Sequence, residues 1–360
     1  MDNTAPQKKV LILYNNLFHY RIPIFKLLSQ KFDLTVAYSL GKENNNRYDF
    51  KVEKKEIFKF NRFVIHKDNI LKYCNNFDVV IAYGDIAWLK IAGLVFRKNK
   101  KFKLLLWTIG VSASYDKKFD TITKWDKVRD LFYRRADGLI FYSEYPIKKY
   151  LQNNYNRNKL FIAPNTVEVA NITLNNIDKR NSFLFVGTLY LAKGLSLLLE
   201  SYKDAYIINK EIFPLIIIGD GPEKQNISNW IVTNKMDNKI IMVGGVYDEN
   251  TLSYYFNNAI ACISPNQAGL SVLKSMGYAV PFVTTEDAIT GGERFNICHN
   301  LNGVLYKKEN DLKDILLDII QNKQKYYNMG IEAKKHYDRY RTPFHMAKGL
   351  EDAINLVLHE

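Results

Sequence analysis

Two successive series of short apolar runs, each alternating with amphipathic segments, constrain the fold most strongly. The first series contains KVLILYNN, FDVVIAYGD, KLLLWTIG, DGLIFYSE and KLFIAPN, and the second contains SFLFVGT, PLIIIGDG, KIIMVGG, AIACISP and PFVTT. Continuous apolar runs of this length are typical of parallel strands that are buried on both faces of a sheet. Their alternation with helical segments predicts an α/β chain with two βα domains in tandem.

The Asn-rich stretch NITLNNIDKRN, residues 171–181, separates the two series and is expected to be an interdomain linker. Ligands of open α/β sheets bind beyond the carboxyl ends of the strands. Two such domains that face each other therefore predict a binding cleft between them.

Positive charge is concentrated in the first half of the chain. Residues 1–176 contain 31 Lys and Arg against 16 Asp and Glu, a net charge of +15, whereas the remainder contains 20 against 21, a net charge of −1. This asymmetry predicts that the first half faces a polyanion, either an acidic membrane leaflet or a nucleic acid. A solvated basic surface that aids solubility is the alternative.

Several classes of protein are disfavoured. The apolar runs are far shorter than the roughly 20 residues of a membrane span, and no signal-peptide core is present, so a cytoplasmic location is expected. The three scattered cysteines match no metal-ligand spacing. YNNLFHYR, after the first strand, contains no glycine, which argues against a nicotinamide dehydrogenase.

The segment TITKWDKVRDLFYRRA, residues 121–136, is expected to be an amphipathic helix. Its apolar side chains Ile122, Trp125, Val128 and Phe132 fall on one stripe. We interpret this stripe as a face that packs on the core, with a basic flank that could rest on a membrane.

Several motifs in the second half of the chain resemble those of a known family. FVGTLYLAKGLSLLLESY resembles V-G-R-L-x-x-x-K-G followed by a helix, and PLIIIGDGPEKQNI resembles L-x-I-x-G-x-G-P. DAITGGERFNICHNLNGVLY resembles G-G-x-x-E followed by N-G-x-L. Together these motifs, in order over about residues 182–306, resemble the group 1 (family 4) glycosyltransferases.

The resemblance implies the GT-B fold, with two Rossmann-like domains whose parallel sheets face a central cleft. We accordingly expect an acceptor-binding domain at 1–170 and a nucleotide-sugar-binding domain at 180–340. The last segment, 341–360, is expected to form a helix that crosses back to the first domain, as the family implies.

The donor motif of the family, E-G-F-G-L-x-x-L-E-A-M, is altered in this chain. Aligned with NQAGLSVLKSM, it places Asn266 and Lys274 where the family has two glutamates. The arginine of V-G-R-L is replaced by Thr188, next to Gly187, whereas the lysine of K-G is retained as Lys193. In the family these positions contact the donor sugar, the ribose and the diphosphate.

The helix that begins near Gly269 offers a substitute for the missing contacts. Its first backbone N–H groups, at Gly269, Leu270 and Ser271, and its partial positive charge suit a pyrophosphate. Lys274 would extend to the same anion, and Lys193 would be the second cation. Alternatively, Lys274 is a solvent-facing helix residue.

Two further residues complete the predicted donor site. Asn266 could hydrogen-bond a sugar hydroxyl and is one of two residues to which we assign a direct part in the transfer. Glu293, after two glycines in TGGER, could accept hydrogen bonds from ribose or sugar hydroxyls. A structural role for Glu293, capping a helix or pairing with Arg294, is the alternative.

The acceptor is expected to bind at the end of the first strand. Asn15, Asn16 and Tyr20 form a polar cluster there, in YNNLFHYR. His19, the second residue with a predicted part in catalysis, could orient a hydroxyl nucleophile, and Arg21 could hold an acceptor phosphate. The alternative for His19 is a structural role.

The resemblance implies transfer of a sugar from a nucleotide-diphosphate donor to a saccharide acceptor, with retention of configuration. We expect a lipid-linked acceptor, a role in capsule or O-antigen synthesis, and peripheral association of the basic domain with the inner membrane face. No cofactor is expected, and the absence of D-x-D argues against a divalent metal. The alternatives are a nucleic-acid-modifying transferase or nucleic-acid binder, and a non-catalytic nucleotide-sugar-binding protein.

Overall fold

The computed structural model describes residues 6–43, 46–112 and 119–359. These residues form two compact units. The first contains the chain up to Ser112, then Asp120–Asn165, and the chain from Pro343 onward. The second contains Phe119 and Thr166–Thr342.

A parallel sheet of seven strands forms the centre of the first unit. The described residues of this unit form the strands β1 (Lys9–Leu13), β2 (Asp33–Tyr38), β3 (Lys51–Lys54), β4 (Ile57–Phe60), β5 (Phe63–His66), β6 (Val79–Tyr83), β7 (Lys103–Thr108), β8 (Gly138–Phe141) and β9 (Leu160–Ile162). The sheet has the order β3-β2-β1-β6-β7-β8-β9, and β4 and β5 form a separate antiparallel hairpin.

A parallel sheet of six strands forms the centre of the second unit. The strands of this unit are β10 (Ser182–Val186), β11 (Leu215–Ile218), β12 (Ile240–Gly244), β13 (Ala259–Ile263), β14 (Gln267–Ala268), β15 (Phe282–Thr285), β16 (Ile289–Thr290) and β17 (Gly303–Tyr306). The sheet has the order β12-β11-β10-β13-β15-β17, and β14 pairs only with β16. The strand order reverses between β10 and β13, which makes this the point where ligands of open α/β sheets bind.

Helices connect the strands in both units. In chain order they are α1 (Ile22–Ser29), α2 (Ile70–Cys74), α3 (Leu89–Gly93), α4 (Lys124–Tyr133), α5 (Tyr145–Gln152), α6 (Leu195–Ile208), α7 (Lys224–Thr233), α8 (Glu249–Asn258), α9 (Leu270–Gly277), α10 (Asp311–Gln321), α11 (Lys323–Tyr340) and α12 (Pro343–His359). α12 packs against α1 and β9 of the first unit. None of the helices formed by the described residues has the length and apolar character needed to cross a bilayer.

Both sheets are covered on two sides, as the continuous apolar runs predict. In β1, Val10 and Ile12 belong to one core cluster, whereas Leu11 and Leu13 belong to another. β10 divides its side chains in the same way between two cores of the second unit. Because successive side chains point to opposite faces, positions 10–13 of β1 and 182–185 of β10 are all buried, whereas Lys9 is exposed and Val186 is half-buried.

The apolar stripe of the helix α4 does not pack on the core. Ile122, Trp125 and Val128 are exposed, and Ile122 is 83% exposed. The helix is attached through its end instead, because the buried Tyr133 donates from its hydroxyl to the carbonyl oxygen of Gly84 at 2.6 Å. Of the four stripe residues, only Phe132 packs against the core, and the interpretation of the stripe as a core face is wrong.

The Asn-rich segment 171–181 is anchored to the second unit rather than free as a linker. The guanidinium of Arg180 is buried and donates hydrogen bonds to the carbonyl oxygens of Ala259, Tyr278 and Ala279 at 3.0–3.2 Å. This burial lowers the pKa of Arg180 to about 10. Four of the eleven residues are asparagine, and nothing in such a composition indicates that Arg180 is buried, so the sequence favoured a linker.

Candidate functional site

Three loops meet at the carboxyl edge of the second sheet. They follow β10, β13 and β15, which are neighbours in the sheet, and they contain Lys193, Asn266 and Glu293 respectively. The first two loops lie on either side of the reversal in strand order. The structure therefore brings together three of the residues that the sequence assigned to a donor site.

Lys193 is a buried cation at this edge. It ends a short 3-10 helix, Leu191–Lys193, and only 9% of the residue is exposed. A Cβ atom added at Gly187 would lie 3.1 Å from its Nζ, so the ammonium group lies over the backbone of Gly187. Within the described residues, this ammonium group has no ion pair or hydrogen-bond partner.

The surroundings of Lys193 change its acidity. Burial lowers the pKa of Lys193 to about 8, and the weaker opposing effects come from Cys262 and Glu293. A buried ammonium without a bonded anion is costly, because the lost hydration is not replaced. Such a group is well suited to receive an anionic ligand.

Asn266 connects the three loops through its backbone. Its N–H donates to the carbonyl oxygen of Lys193 at 3.3 Å, and its own carbonyl oxygen accepts from the N–H of Ile289 at 2.8 Å. Its side-chain amide lies against Gly194, where an added Cβ would be 2.7 Å from Cγ of Asn266. Gly194 has a φ of +72°, so this position favours glycine for two reasons.

The turn at the start of α9 is open. Gly269, Leu270 and Ser271 are all half-buried, and a Cβ added at Gly269 would meet no atom within 4 Å. The first N–H groups of an α-helix have no acceptor within the helix. The predicted anion-binding turn therefore has free space beside it rather than packed protein.

Glu293 supports the neighbouring turn. It is buried, and its Oε2 accepts a hydrogen bond from the N–H of Gly291 at 2.9 Å. The hydroxyl of Thr290 lies within hydrogen-bond distance of both this carboxylate and the carbonyl oxygen of Ala268. The carboxylate thus supports the 290–293 turn, and the Thr290 hydroxyl connects that turn to β14. Thr290 was not identified from the sequence, since a lone threonine carries no motif.

Lys274 is neither solvent-facing nor bound to the α9 turn in this structure. Its side chain is 14% exposed, and its ammonium group forms an ion pair with Glu249. The second carboxylate oxygen of Glu249 accepts a hydrogen bond from the hydroxyl of Tyr278. Glu249, the first residue of α8, was also missed from sequence, because it lies 25 residues before Lys274 and in no motif.

A surface pocket of about 510 Å³ opens at the same sheet edge. Its lining includes Gly221 and Pro222, after β11, and Val243 and Gly244, at the end of β12. The loop after β11 contacts the β10 loop, because a Cβ added at Gly221 would lie 2.7 Å from the carbonyl oxygen of Leu189. None of the residues predicted to bind a donor lines this pocket, although Thr188, which is exposed, belongs to the adjoining loop.

The predicted acceptor residues lie together after β1 in the first unit. His19 is exposed, and Asn15, Asn16 and Tyr20 are half-buried. The side-chain oxygen of Asn15 is buried and has no hydrogen-bond partner in the described part of the chain. These residues belong to a different unit from Lys193, and the structure groups the two sets separately.

Arg21 is buried within the first unit and does not face solvent, where it was predicted to hold an acceptor phosphate. It is 4% exposed, donates to Oδ1 of Asn165 at 2.9 Å, and contacts Sδ of Met346 in α12. Its guanidinium also lies 5.0–5.2 Å from the centroids of three aromatic rings, those of Tyr20, Trp107 and Tyr142. This burial corrects the prediction that Arg21 presents its charge to an acceptor phosphate.

Comparison with known proteins identifies the fold, and it gives a family match for the second half of the chain. Residues 168–336 match the family model described as glycosyl transferases group 1. HepE of Anabaena, crystallised in complex with UDP, is 13% identical with a TM-score of 0.72, over 96% of this chain and 99% of that chain. No protein with a curated function matches the sequence.

Two other solved structures share the whole architecture. TarM, known from S. aureus, is 13% identical with a TM-score of 0.73, over 99% of this chain and 100% of that chain. The lipopolysaccharide outer core galactosyltransferase WaaB is 16% identical with a TM-score of 0.66, over 96% and 99% of the two chains. At such identities the likeness shows the fold alone, and it confirms the predicted GT-B fold. The chain thus has the GT-B fold, and its residues 168–336 match the model of the group 1 glycosyltransferases.

Proposed function

We propose that this protein transfers a sugar from a nucleotide-diphosphate donor to a saccharide acceptor. One observation carries the proposal: Lys193 is a buried ammonium group without a bonded anion in the described residues, at the switch point of the second sheet. A diphosphate is the anion that a transferase of this family releases. UDP is bound in the HepE structure, so a uridine diphosphate sugar is the first donor to test.

The leaving diphosphate would be stabilised by fixed charges and dipoles. As the bond between the anomeric carbon and the diphosphate breaks, negative charge grows on the phosphate oxygens. Lys193 and the N–H groups at Leu270 and Ser271 would stabilise that negative charge. Because these groups are already in position before the reaction, they would lower the barrier to transfer without first having to move. These groups can neutralise the leaving group, and we therefore propose transfer without a metal or other cofactor.

Asn266 and Glu293 would act at the sugar and at the turn, respectively. The exposed amide of Asn266 can donate to and accept from sugar hydroxyls. Glu293 would keep the 290–293 turn in place beside Lys193, since its carboxylate is already bonded to that turn. We propose retention of anomeric configuration, as the family resemblance implies.

The acceptor would bind to the first unit, near the exposed His19. Asn15, Asn16 and Tyr20 offer hydrogen-bonding groups there, and His19 would orient the attacking hydroxyl. WaaB acts in the lipopolysaccharide outer core, which supports a lipid-linked saccharide acceptor and a role in surface polysaccharide synthesis. We propose that the protein works at the cytoplasmic face of the membrane as a peripheral protein.

Ligand screening tests the proposed function directly. We expect a uridine diphosphate sugar to raise the midpoint of thermal unfolding, because a ligand at 100 times its dissociation constant stabilises the fold by about 2.7 kcal/mol. Guanosine and thymidine diphosphate sugars serve as comparison ligands, and each measurement is repeated with EDTA. Binding only in the presence of a divalent metal would contradict the metal-free mechanism, and no binding of any sugar nucleotide would contradict the function.

The missing family glutamates favour a second candidate, a nucleotide-sugar-binding protein without transferase activity. Asn266 and Lys274 stand where the family has acids. Tight binding of a donor, with neither transfer to a saccharide acceptor nor hydrolysis, would support this candidate over the enzyme. The configuration of any product, read by nuclear magnetic resonance, decides whether transfer proceeds with retention.

The pair of Lys274 and Glu249 tests whether Lys274 reaches the donor. Glu249→Gln removes the charge that holds the ammonium group, so we expect it to strengthen UDP binding about fivefold, the equivalent of about 1 kcal/mol. Lys274→Met should weaken UDP binding by about the same factor. In the double variant, the gain from Glu249→Gln should disappear. Isothermal titration calorimetry measures all four proteins, and equal affinities would exclude Lys274 from the donor site.

A further inference from the structure

The hairpin of β4 and β5 presents an outer face that is entirely apolar. Phe58 pairs directly with Ile65, and Phe60 pairs directly with Phe63. Directly paired residues and alternate residues of a strand share a face, so these four side chains lie together. Phe58 and Phe60 are 67% and 70% exposed. An exposed apolar face without a polar side chain marks an interaction site in a folded protein.

The inner face of the same hairpin is firmly attached to the first unit. Val64 belongs to a core cluster, and His66 is fully buried against the ring of Trp88. Burial lowers the pKa of His66 to about 4. The N–H of Val64 donates to the carbonyl oxygen of Ala87 at 2.9 Å. The packing of the inner face therefore holds the hairpin, and with it the outer apolar face, in one position on the first unit.

The exposed stripe of α4 adjoins this face. The guanidinium of Arg62, in the hairpin turn, lies 3.8 Å from the centroid of the Trp125 ring. Trp125 and Val128 are one helical turn apart and both exposed, which extends the apolar surface beyond the hairpin. We name these six side chains the docking patch: Phe58, Phe60, Phe63, Ile65, Trp125 and Val128.

Cations lie beside the residues of the docking patch. Lys124 and Lys127 lie on either side of Trp125 and Asp126, whereas Lys59 pairs with Val64 and so belongs to the inner face of the hairpin. In the described ranges, Lys124 and Lys127 form no ion pair, unlike the nearby Lys67 and Arg129. The described residues of the first unit contain 30 Lys and Arg against 15 Asp and Glu, a net charge of +15; those of the second unit contain 19 against 19.

We propose that the docking patch binds an anionic lipid bilayer. Aromatic rings would enter the region between headgroups and acyl chains, while the lysines stay at the level of the lipid phosphates. A second copy of this chain is a poor occupant, because it would bring a second cationic unit against the first. This proposal rests on the proposed function, since a lipid-linked acceptor would be presented at such a surface.

Vesicle binding by the full chain tests the docking patch. We expect sedimentation with vesicles of phosphatidylcholine that contain about 30% phosphatidylglycerol, but not with phosphatidylcholine alone. Phe58→Ser/Phe60→Ser should reduce partitioning into the anionic vesicles at least tenfold, on the order expected from removing two large apolar rings. Ile207→Ser/Ile208→Ser, which replaces two exposed apolar residues of α6 in the second unit, is the matched control and should change nothing.

The lysines give an independent readout. Each cation near an anionic surface changes binding about fivefold, so Lys124→Gln/Lys127→Gln should lower partitioning about 25-fold. Lys335→Gln, at an exposed lysine of the second unit, is the control for charge. The fluorescence of Trp125 should shift to the blue on addition of anionic vesicles, and this shift should be absent in Trp125→Phe.

Three outcomes would overturn the docking proposal. They are no binding to anionic vesicles, equal binding to neutral and anionic vesicles, and a dimer in solution that Phe58→Ser/Phe60→Ser converts to a monomer. Donor binding, measured by calorimetry without vesicles, separates this proposal from the proposed function. Donor binding without vesicle binding contradicts the docking patch alone, and vesicle binding without donor binding contradicts the transferase alone.

Discussion

Replacing Lys193 by methionine is expected to lower kcat/KM for sugar transfer by about 10²–10³-fold, as loss of one fixed donor to a developing anion usually does. Methionine fills a similar volume, so the packing under Gly187 is retained while the charge is lost. The dissociation constant for UDP should rise in parallel. Transfer assays and calorimetry measure the two effects.

The pH dependence of donor binding gives a second test of Lys193. Its pKa is about 8 in the free protein, so the ammonium form dominates below pH 8 and is lost as the pH rises through that value. A bound diphosphate favours the ammonium form. UDP affinity should therefore be full below about pH 8 and fall above it. This fall in UDP affinity above pH 8 should be absent in Lys193→Met and present in the control Lys335→Met.

Stability distinguishes this role of Lys193 from a structural one. A lysine with a lowered pKa binds fewer protons in the folded chain than in the unfolded chain at pH values between about 8 and its usual 10.5, so folding stability should rise with pH across this range. Lys193→Met removes this rise and should be at least as stable as the wild type at pH 7. A large loss of stability at pH 7, together with unchanged UDP affinity, would make Lys193 a structural residue.

The sequence was most informative where burial leaves little choice of residue. Strands covered on both faces are apolar at nearly every position, so KVLIL and SFLFV, each apolar after its first residue, predicted the centres of both sheets. The glycine of the K-G motif also has a local reason, because glycine is favoured at the positive φ of Gly194, and the motif that resembles the family places Lys193 directly before it. These features depend on local chemistry, which a sequence displays directly.

Features that depend on contacts between distant residues could not be predicted. Arg21 looked like a free cation in a polar loop, but its partners Asn165 and Met346 lie 144 and 325 residues further along the chain. The partner of Lys274 lies on another helix, and the periodicity of α4 does not show that Tyr133, rather than its stripe, faces the core. Hydrophobic periodicity identifies an apolar face but not what covers it.

A single methyl group at Gly219 is expected to disrupt the second unit. A Cβ at this position would lie 1.9 Å from the carbonyl oxygen of Gly187, and the φ of Gly219 is +156°, where other residues are strained. Both backbones are fixed by hydrogen bonds, because the N–H of Gly187 donates to Ile218 at 3.0 Å and that of Gly219 donates to Gly244 at 2.8 Å. Gly219→Ala should therefore lower the free energy of unfolding by about 3 kcal/mol, the combined effect of overpacking and backbone strain.

Gly219→Ala should also weaken donor binding. To admit the methyl group, the chain must move the carbonyl of Gly187, and the ammonium group of Lys193 lies close to the backbone of the same residue. UDP affinity should fall together with stability in urea denaturation. Gly245→Ala is the matched control in the same unit, since its added Cβ would meet only the ring of Tyr247 at an ordinary 3.4 Å, and it should change stability by less than about 1 kcal/mol. If Gly219→Ala were as stable as Gly245→Ala, the loops after β10 and β11 could not be in the close contact that this structure gives them, and the position of Lys193 would lose its support.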